Sequence, residues 1–98
     1  MKTLIVNVSK DSCDVYIGRA SGNYKASKWA NPFKIGPDGS REEVIKKYAN
    51  WILSQPQLIN SLSELEGKVL GCWCKPESCH GDVLVDLIRC YRYFKFEE

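Results

Sequence analysis

The chain has 98 residues, 44% of them hydrophobic and 27% charged, which suffices for one small folded domain and is too short for two. Its 14 basic and 12 acidic residues leave a formal charge of +2, which neither requires nor excludes a polyanionic partner. No apolar run reaches the roughly 18 residues of a membrane span, and charged residues come too early for a signal peptide, so we expect a cytoplasmic protein.

The N-terminal part of the chain predicts two strands followed by a long loop. The segments TLIVNV at 3–8 and DVYIGR at 14–19 are short and rich in β-branched and aromatic residues. A polar stretch separates them, and a hairpin is the simplest pairing of the two. The glycines, serines and two prolines of residues 20–39 then predict a long irregular loop, and loops of this length in small domains are usually functional.

The middle of the chain predicts two helices. In SREE at 40–43 the spacing of Ser40 and Glu43 is that of a capping box. Apolar residues then recur at helical spacing at Val44, Ile45, Tyr48, Trp51 and Ile52, which we interpret as packing positions. We expect Pro56 to end this helix. A second short helix should follow, with apolar positions at Leu58, Ile59, Leu62 and Leu65, and Gly67 should close it.

The C-terminal part predicts a buried strand at KVLGCWC and a last helix that begins near Ser78 or Cys79. One side of that helix carries Val83, Leu84, Leu87, Ile88 and Tyr91. The resulting order is β-β-α-α-β-α. It predicts a single α/β domain over residues 1–98, with Rossmann-like layering of helices over a small sheet.

The segment GCWCKPESCHGD at 71–82 holds three of the five cysteines and the only histidine. Because strand side chains alternate, Cys72 and Cys74 should point to the same side. Cys79 and His80 fall at the opening turn of the last helix, where free N–H groups and the helix dipole attract anions. An odd cysteine count, crowded in one segment, favours thiols or a metal over disulfides. The isolated Cys13 and Cys90 we assign to packing.

Several interpretations of this segment remain open. Zinc could be bound in a Cys₃His site, although the spacing is unusual for one; its ligands would be Cys72, Cys74, Cys79 and His80. The helix N-terminus could activate the Cys79 thiol with His80 beside it. The turn could instead hold a phosphate or carboxylate with its N–H groups, Lys75 and His80. In the simplest interpretation Gly81 serves only close packing and Asp82 only complements the helix dipole.

Four stretches together resemble an uncharacterised domain family, one of the "domain of unknown function" families of bacteria and their phages. They are YIGR, SKWANPF, DGSREEVIKKYANWI and LGCWCKPESCHGD. The resemblance spans nearly the whole chain, and the last motif is highly specific. It implies that the residues of interest are Gly18, Arg19, Asn31, Pro32, Phe33, Cys72, Cys74, Pro76, Cys79, His80, Gly81 and Asp82.

Physical roles can be assigned to the residues before the first helix. The Arg19 guanidinium could form two parallel hydrogen bonds to a phosphate or carboxylate, or a surface salt bridge. Asn31 could contact the edge of a ring, or form a turn. Phe33 and Trp29 could stack on a flat ring, or belong to the core.

We therefore expect a pocket for a small phosphorylated or nucleotide-like ligand, at the strand ends and the N-terminus of the last helix. The expected binding residues are Arg19, Asn31, Phe33, Lys75, His80, Gly81 and Asp82. If transferase or hydrolase chemistry follows, Cys79 or Cys74 is the nucleophile and His80 carries the proton. The alternatives are a zinc module that contacts nucleic acid or protein, and a non-catalytic ligand sponge of phage origin. A nucleic-acid partner is less favoured, and no membrane partner is expected.

Overall fold

The helices and strands follow the predicted order, which confirms the α/β class. The computed structural model describes the backbone of residues 2–97 and the side chains of residues 2–90. The elements are β1 (Leu4–Asn7), β2 (Val15–Tyr16), α1 (Arg41–Leu53), α2 (Pro56–Asn60), a 3-10 turn (Leu62–Leu65), β3 (Val69–Cys72) and α3 (His80–Glu97). The predicted second helix is thus divided into α2, with Pro56 in its first turn, and the 3-10 turn.

The sheet has three parallel strands in the order β1-β3-β2. Leu4 pairs with Val69 and Asn7 with Cys72, whereas on the other side of β3 Val15 pairs with Leu70. The hairpin expected for the first two strands is therefore wrong, because β3 lies between them.

Because Gly71 has no side chain, the link between β1 and β2 can cross one face of the central strand β3. The link starts where the Val8 N–H bonds to the Cys72 carbonyl and ends where the Asp14 N–H bonds to the Val69 carbonyl. A Cβ atom on Gly71 would lie only 2.6 Å from Val8 Cγ1 and 2.4 Å from Cys13 Sγ. These side chains occupy the space that a larger residue would need, so Cys13 has the packing role that we predicted.

The face of β3 opposite this link packs on the main core. Leu70 and Cys72 are buried there against residues of the helices and of the loop. The capping box at the start of α1 is present: Ser40 Oγ accepts from the Glu43 N–H and Glu43 Oε1 accepts from the Ser40 N–H. The core cluster consists of Ile17, Trp29, Tyr48, Ile52, Leu62, Leu65, Leu70, Cys72, Cys79, Leu84 and Ile88.

Residues 20–39 form the predicted irregular loop, with two isolated bridges, Ser21 to Tyr24 and Gly36 to Gly39. The loop is nevertheless anchored. Trp29 is buried, and its carbonyl accepts a 2.7 Å hydrogen bond from the Tyr48 hydroxyl. Trp29 is therefore a core residue and not a stacking platform for a ligand.

The C-terminal helix packs on the core through Leu84 and Ile88. Cys90 is exposed, so its predicted packing role is wrong. The predicted contact of Tyr91 lies outside the described side chains. Across the described residues, no helix combines the length and the apolar character that a membrane span requires.

Candidate functional site

The residues CHGD build the N-terminus of α3. Cys79 precedes the first helical residue, and its N–H donates to Asp82 Oδ2 at 3.1 Å, which is half of a capping box. A Cβ on Gly81 would lie 2.9 Å from Cδ1 of both Ile5 and Ile17, so glycine lets the helix approach the sheet closely. Asp82 Oδ1 also pairs with Lys75 Nζ at 2.9 Å. The turn before it contains a cis peptide bond between Lys75 and Pro76.

Three sulfur atoms converge between the end of β3 and this helix start. The Cys72 and Cys79 sulfurs are 3.5 Å apart, and both residues are 2% exposed. Hydrogen bonds from Cys72 and then from Cys79 lower the pKa of the partly exposed Cys74. The Arg41 guanidinium lowers this pKa further.

The same hydrogen bonds act in the opposite direction on Cys79. Its contacts with Cys72 and Cys74, together with burial, raise the pKa of its thiol. These pKa shifts favour the thiolate form at Cys74, the member of the cluster that is partly exposed and faces a guanidinium.

His80 is a buried neutral imidazole. Its Nε2 lies 2.7 Å from the Ile17 carbonyl oxygen, which can only accept, so Nε2 carries the hydrogen. The ring also meets the Tyr48 ring edge-on, with centroids 4.9 Å apart. Burial lowers the pKa of His80 below its ordinary value, which leaves Nδ1 as a proton acceptor.

We expect the single histidine to titrate below about pH 6.5, with the hydrogen on Nε2 in the neutral form. The unfolded chain then binds a proton first as the pH falls, so this group's contribution to stability is complete above about pH 6.5 and is lost below it. A two-dimensional ¹H–¹⁵N spectrum of the imidazole, recorded from pH 8 to pH 4.5, measures both properties. A midpoint at or above the unfolded value, or an Nδ1–H tautomer, would contradict this assignment.

These groups border a cavity of about 190 Å³. Its wall includes the segment after β2, the loop through Asn31 and Phe33, the first turn of α1, and the turn after β3. The volume is below the roughly 300–1,000 Å³ of pockets for drug-sized ligands, so the cavity suits a small molecule.

Two arginines from different elements line this cavity. Arg19 Nη2 donates to the Phe33 carbonyl at 2.7 Å, and Arg41 Nη1 donates to the Ser78 carbonyl at 3.0 Å. These bonds hold the side chains in place while using only part of the five N–H donors of each guanidinium. Arg41 was not among the predicted site residues, although it lies in the SREE segment directly after the capping Ser40.

The structure brings together most of the predicted site residues. Arg19, Asn31, Phe33, Cys72, Cys74, Cys79 and His80 all line the cavity. Asn31 already uses both ends of its amide, donating to the Val44 carbonyl and accepting from the Phe33 N–H, as a turn former does.

Lys75, Gly81 and Asp82 are not on the cavity wall. Lys75 and Asp82 instead line a second hollow, with Thr3 and Arg89 among its other residues. The role of all three residues in ligand binding stays a prediction. Gly81 has the close packing of the simplest interpretation, and Asp82 accepts a capping hydrogen bond that the sequence analysis did not predict.

Two aromatic residues that were not predicted as site residues, Tyr16 and Trp73, line the cavity. Trp73 is 48% exposed, and its Nε1 donates to the Tyr16 hydroxyl at 3.0 Å. Tyr16 stacks on Tyr24 with ring centroids 4.4 Å apart. Tyr16 and Trp73 line the cavity, so the indole is fixed in position with much of its surface accessible.

The zinc alternative gains no support from the geometry. Within residues 2–90 there is no group of three or more His, Cys, Asp and Glu side chains that could hold a metal ion. In addition, His80 Nε2 is committed to the Ile17 carbonyl.

Comparison with known proteins places the chain among viral relatives. It is 40% identical to an uncharacterised protein of Acanthamoeba polyphaga mimivirus, over 88% of this chain and 75% of the relative. It is 37% identical to an uncharacterised 12.4 kDa protein from the nrdA-td intergenic region of Enterobacteria phage T4, over 93% of this chain and 80% of the relative. No solved structure matches the chain.

The resemblance noted in the sequence is confirmed at the level of the family, whereas its defining motifs stay a prediction. Residues 6–90 match a single family model, which covers most of the chain. The chain therefore belongs to the family described as Domain of unknown function (DUF4326).

Proposed function

We propose that the chain binds a small phosphorylated or nucleotide-like anion in the cavity beside Cys74 and His80. One observation carries this proposal: the cavity wall contains two arginines, and no Asp or Glu is among its lining residues. A small concave site with fixed guanidinium groups favours a compact anion with several acceptor oxygens.

The rest of the wall suits a flat ring attached to that anion. Phe33 and Trp73 present aromatic surface, and Ile35 and Val44 add aliphatic surface. Aromatic stacking tolerates many ring types, which agrees with a nucleotide-like ligand without choosing a base. Arg19 is the better candidate for the first phosphate contact, because Arg41 also stabilises the Cys74 thiolate.

The cavity also contains groups for a covalent step. Between the two predicted nucleophiles we favour Cys74, because it is partly exposed and its pKa is lowered, whereas Cys79 is buried and its pKa is raised. Because Cys74 is favoured as a thiolate, His80 would instead carry, at Nδ1, a proton exchanged with the ligand or with water. Binding with turnover would define a thiol-dependent transferase or hydrolase, and tight binding without turnover would define the ligand sponge.

Calorimetric titration of the purified chain with inorganic phosphate and nucleoside monophosphates tests the binding step. We expect Arg19→Gln to weaken binding about 10- to 100-fold, the value of a lost charge-assisted hydrogen bond. Arg89→Gln is the matched control, because Arg89 is exposed on α3 and outside the cavity. Its affinity should stay within about twofold of the original, since distant surface charges contribute little.

Two outcomes would overturn the proposal: no binding of any phosphorylated probe at millimolar concentration, or equal losses of affinity for the two variants.

A ligand that binds should be incubated with the original chain and with Cys74→Ser, followed by product analysis. If binding is detected only with an oligonucleotide, and its affinity falls steeply as the salt concentration rises, the nucleic-acid alternative is indicated.

A further inference from the structure

Ligand binding and a single nucleophile leave two sulfur atoms of the cluster without a role. Cys72 ends β3 and Cys79 caps α3, seven positions later, yet their sulfurs are 3.5 Å apart. All three line the cavity, but Cys72 and Cys79 are almost completely buried, whereas Cys74 between them in sequence is partly exposed.

We propose that these three cysteines form a peroxide-reactive centre, in which Cys74 is attacked first and a reversible disulfide between Cys72 and Cys79 is the final product. The proposal is independent of ligand binding. It rests on the positions of the cysteines: two buried sulfurs lie 3.5 Å apart on the wall of the cavity that the partly exposed Cys74 also lines.

The distance makes the final disulfide attainable. A disulfide bond is about 2.05 Å long, so the two sulfurs, now 3.5 Å apart, need to approach by roughly 1.5 Å. Access favours Cys74 as the first point of attack, because it is the partly exposed member of the three cysteines on the cavity wall. Its lowered pKa acts in the same direction, since the thiolate is the form that reacts.

The reaction balances in three steps. The Cys74 thiolate attacks one peroxide oxygen; the S–O bond forms, the O–O bond breaks, and hydroxide leaves. Cys79 gives its proton to that hydroxide and attacks the Cys74 sulfur, which forms a Cys74–Cys79 disulfide and releases a second hydroxide. Cys72 gives its proton to the second hydroxide and attacks the Cys79 sulfur, which releases Cys74 as a thiolate. Two thiols lose two electrons, and hydrogen peroxide becomes two waters.

The sequence allows the three cysteines to be separated by proteolysis. Cleavage after Trp73 and after Glu77 places Cys72, Cys74 and Cys79 on three different peptides. The folded chain is treated with hydrogen peroxide at pH 7, its remaining thiols are alkylated, and the digest is analysed by mass spectrometry. We expect the Cys72 and Cys79 peptides to be linked, with Cys74 alkylated, and dithiothreitol to release the link.

Variants test the order of events. Cys74→Ser should slow formation of the link about tenfold or more, because an ordinary thiol is only a few per cent ionised at pH 7. Cys90→Ser is the matched control, since Cys90 is exposed and distant in sequence, and it should form the link at the original rate. In Cys79→Ser the link should be absent, and Cys74 should accumulate sulfinic acid.

If a variant fails to fold, peptide mapping of the peroxide-treated, unchanged chain still tests the proposal. Preferential oxidation of Cys90, a stable Cys74–Cys79 link, or no link at a tenfold excess of peroxide would each overturn the proposal. An equal rate in Cys74→Ser would overturn the assignment of Cys74 as the first point of attack.

Discussion

Between pH 8 and pH 5 the rate at which iodoacetamide alkylates Cys74 in the folded chain will stay nearly constant. The same thiol in the urea-unfolded chain, with an ordinary pKa of about 8.5, will slow by several hundredfold. The difference follows from the lowered pKa in the folded state, where neighbouring thiols and then a guanidinium stabilise the thiolate. Time courses of alkylation, resolved by peptide mapping at each pH, provide the measurement.

Arg41→Gln tests the cause of this behaviour. Removing the guanidinium should raise the pKa of Cys74 and move the start of the decline to higher pH. Arg89→Gln removes the same charge far from the cluster in sequence and should leave the profile unchanged. A folded-state rate that declines tenfold per pH unit below pH 8 would refute the thiolate assignment.

Trp29→Ala should destabilise the chain by about 3–5 kcal/mol, the range for deletion of a large buried aromatic side chain. Trp29 is 2% exposed and packs in the main core. This loss is a large fraction of the roughly 5–15 kcal/mol that stabilises a typical domain. Because Trp29 anchors residues 20–39, which form part of the cavity wall, the variant should also lose ligand binding. Urea unfolding of both chains gives the difference in free energy.

Trp73→Ala is the control, since it deletes the same side chain at a position that is 48% exposed. Its free energy of unfolding should stay within about 1 kcal/mol of the original. Equal losses at the two positions would show that Trp29 does not hold the loop on the core.

Local sequence signals predicted the helices well. The capping box of Ser40 and Glu43 depends on atoms three residues apart, so its pattern is visible in the sequence. The same is true of the start of α3, which the structure places at His80, next to the predicted Ser78 or Cys79. The sequence also predicted that Cys72, Cys74 and Cys79 lie close together, and all three line one cavity, but β3 ends at Cys72, so strand alternation does not extend to Cys74.

Non-local geometry accounts for the errors. The hairpin was wrong because the place of β3 in the sheet depends on residues more than 60 positions away from β1. Arg41 was missed because nothing near it in sequence indicates that α1 begins beside Ser78, 37 positions later. Lys75 lies between two cavity residues in sequence, yet the turn directs it to Asp82 instead.

The order of strands in the sheet has a consequence for how the chain acquires its structure. Within the described residues, β1 and β2 both pair with β3, which follows them in the sequence, and Leu4 must find Val69 across 65 positions. Residues 1–68 therefore cannot form this sheet until β3 has been synthesised. Such distant pairing favours slow folding, because the entropy of closing a long loop is lost before the contacts form. A ribosome-bound fragment that ends before Val69 should consequently be protease-sensitive.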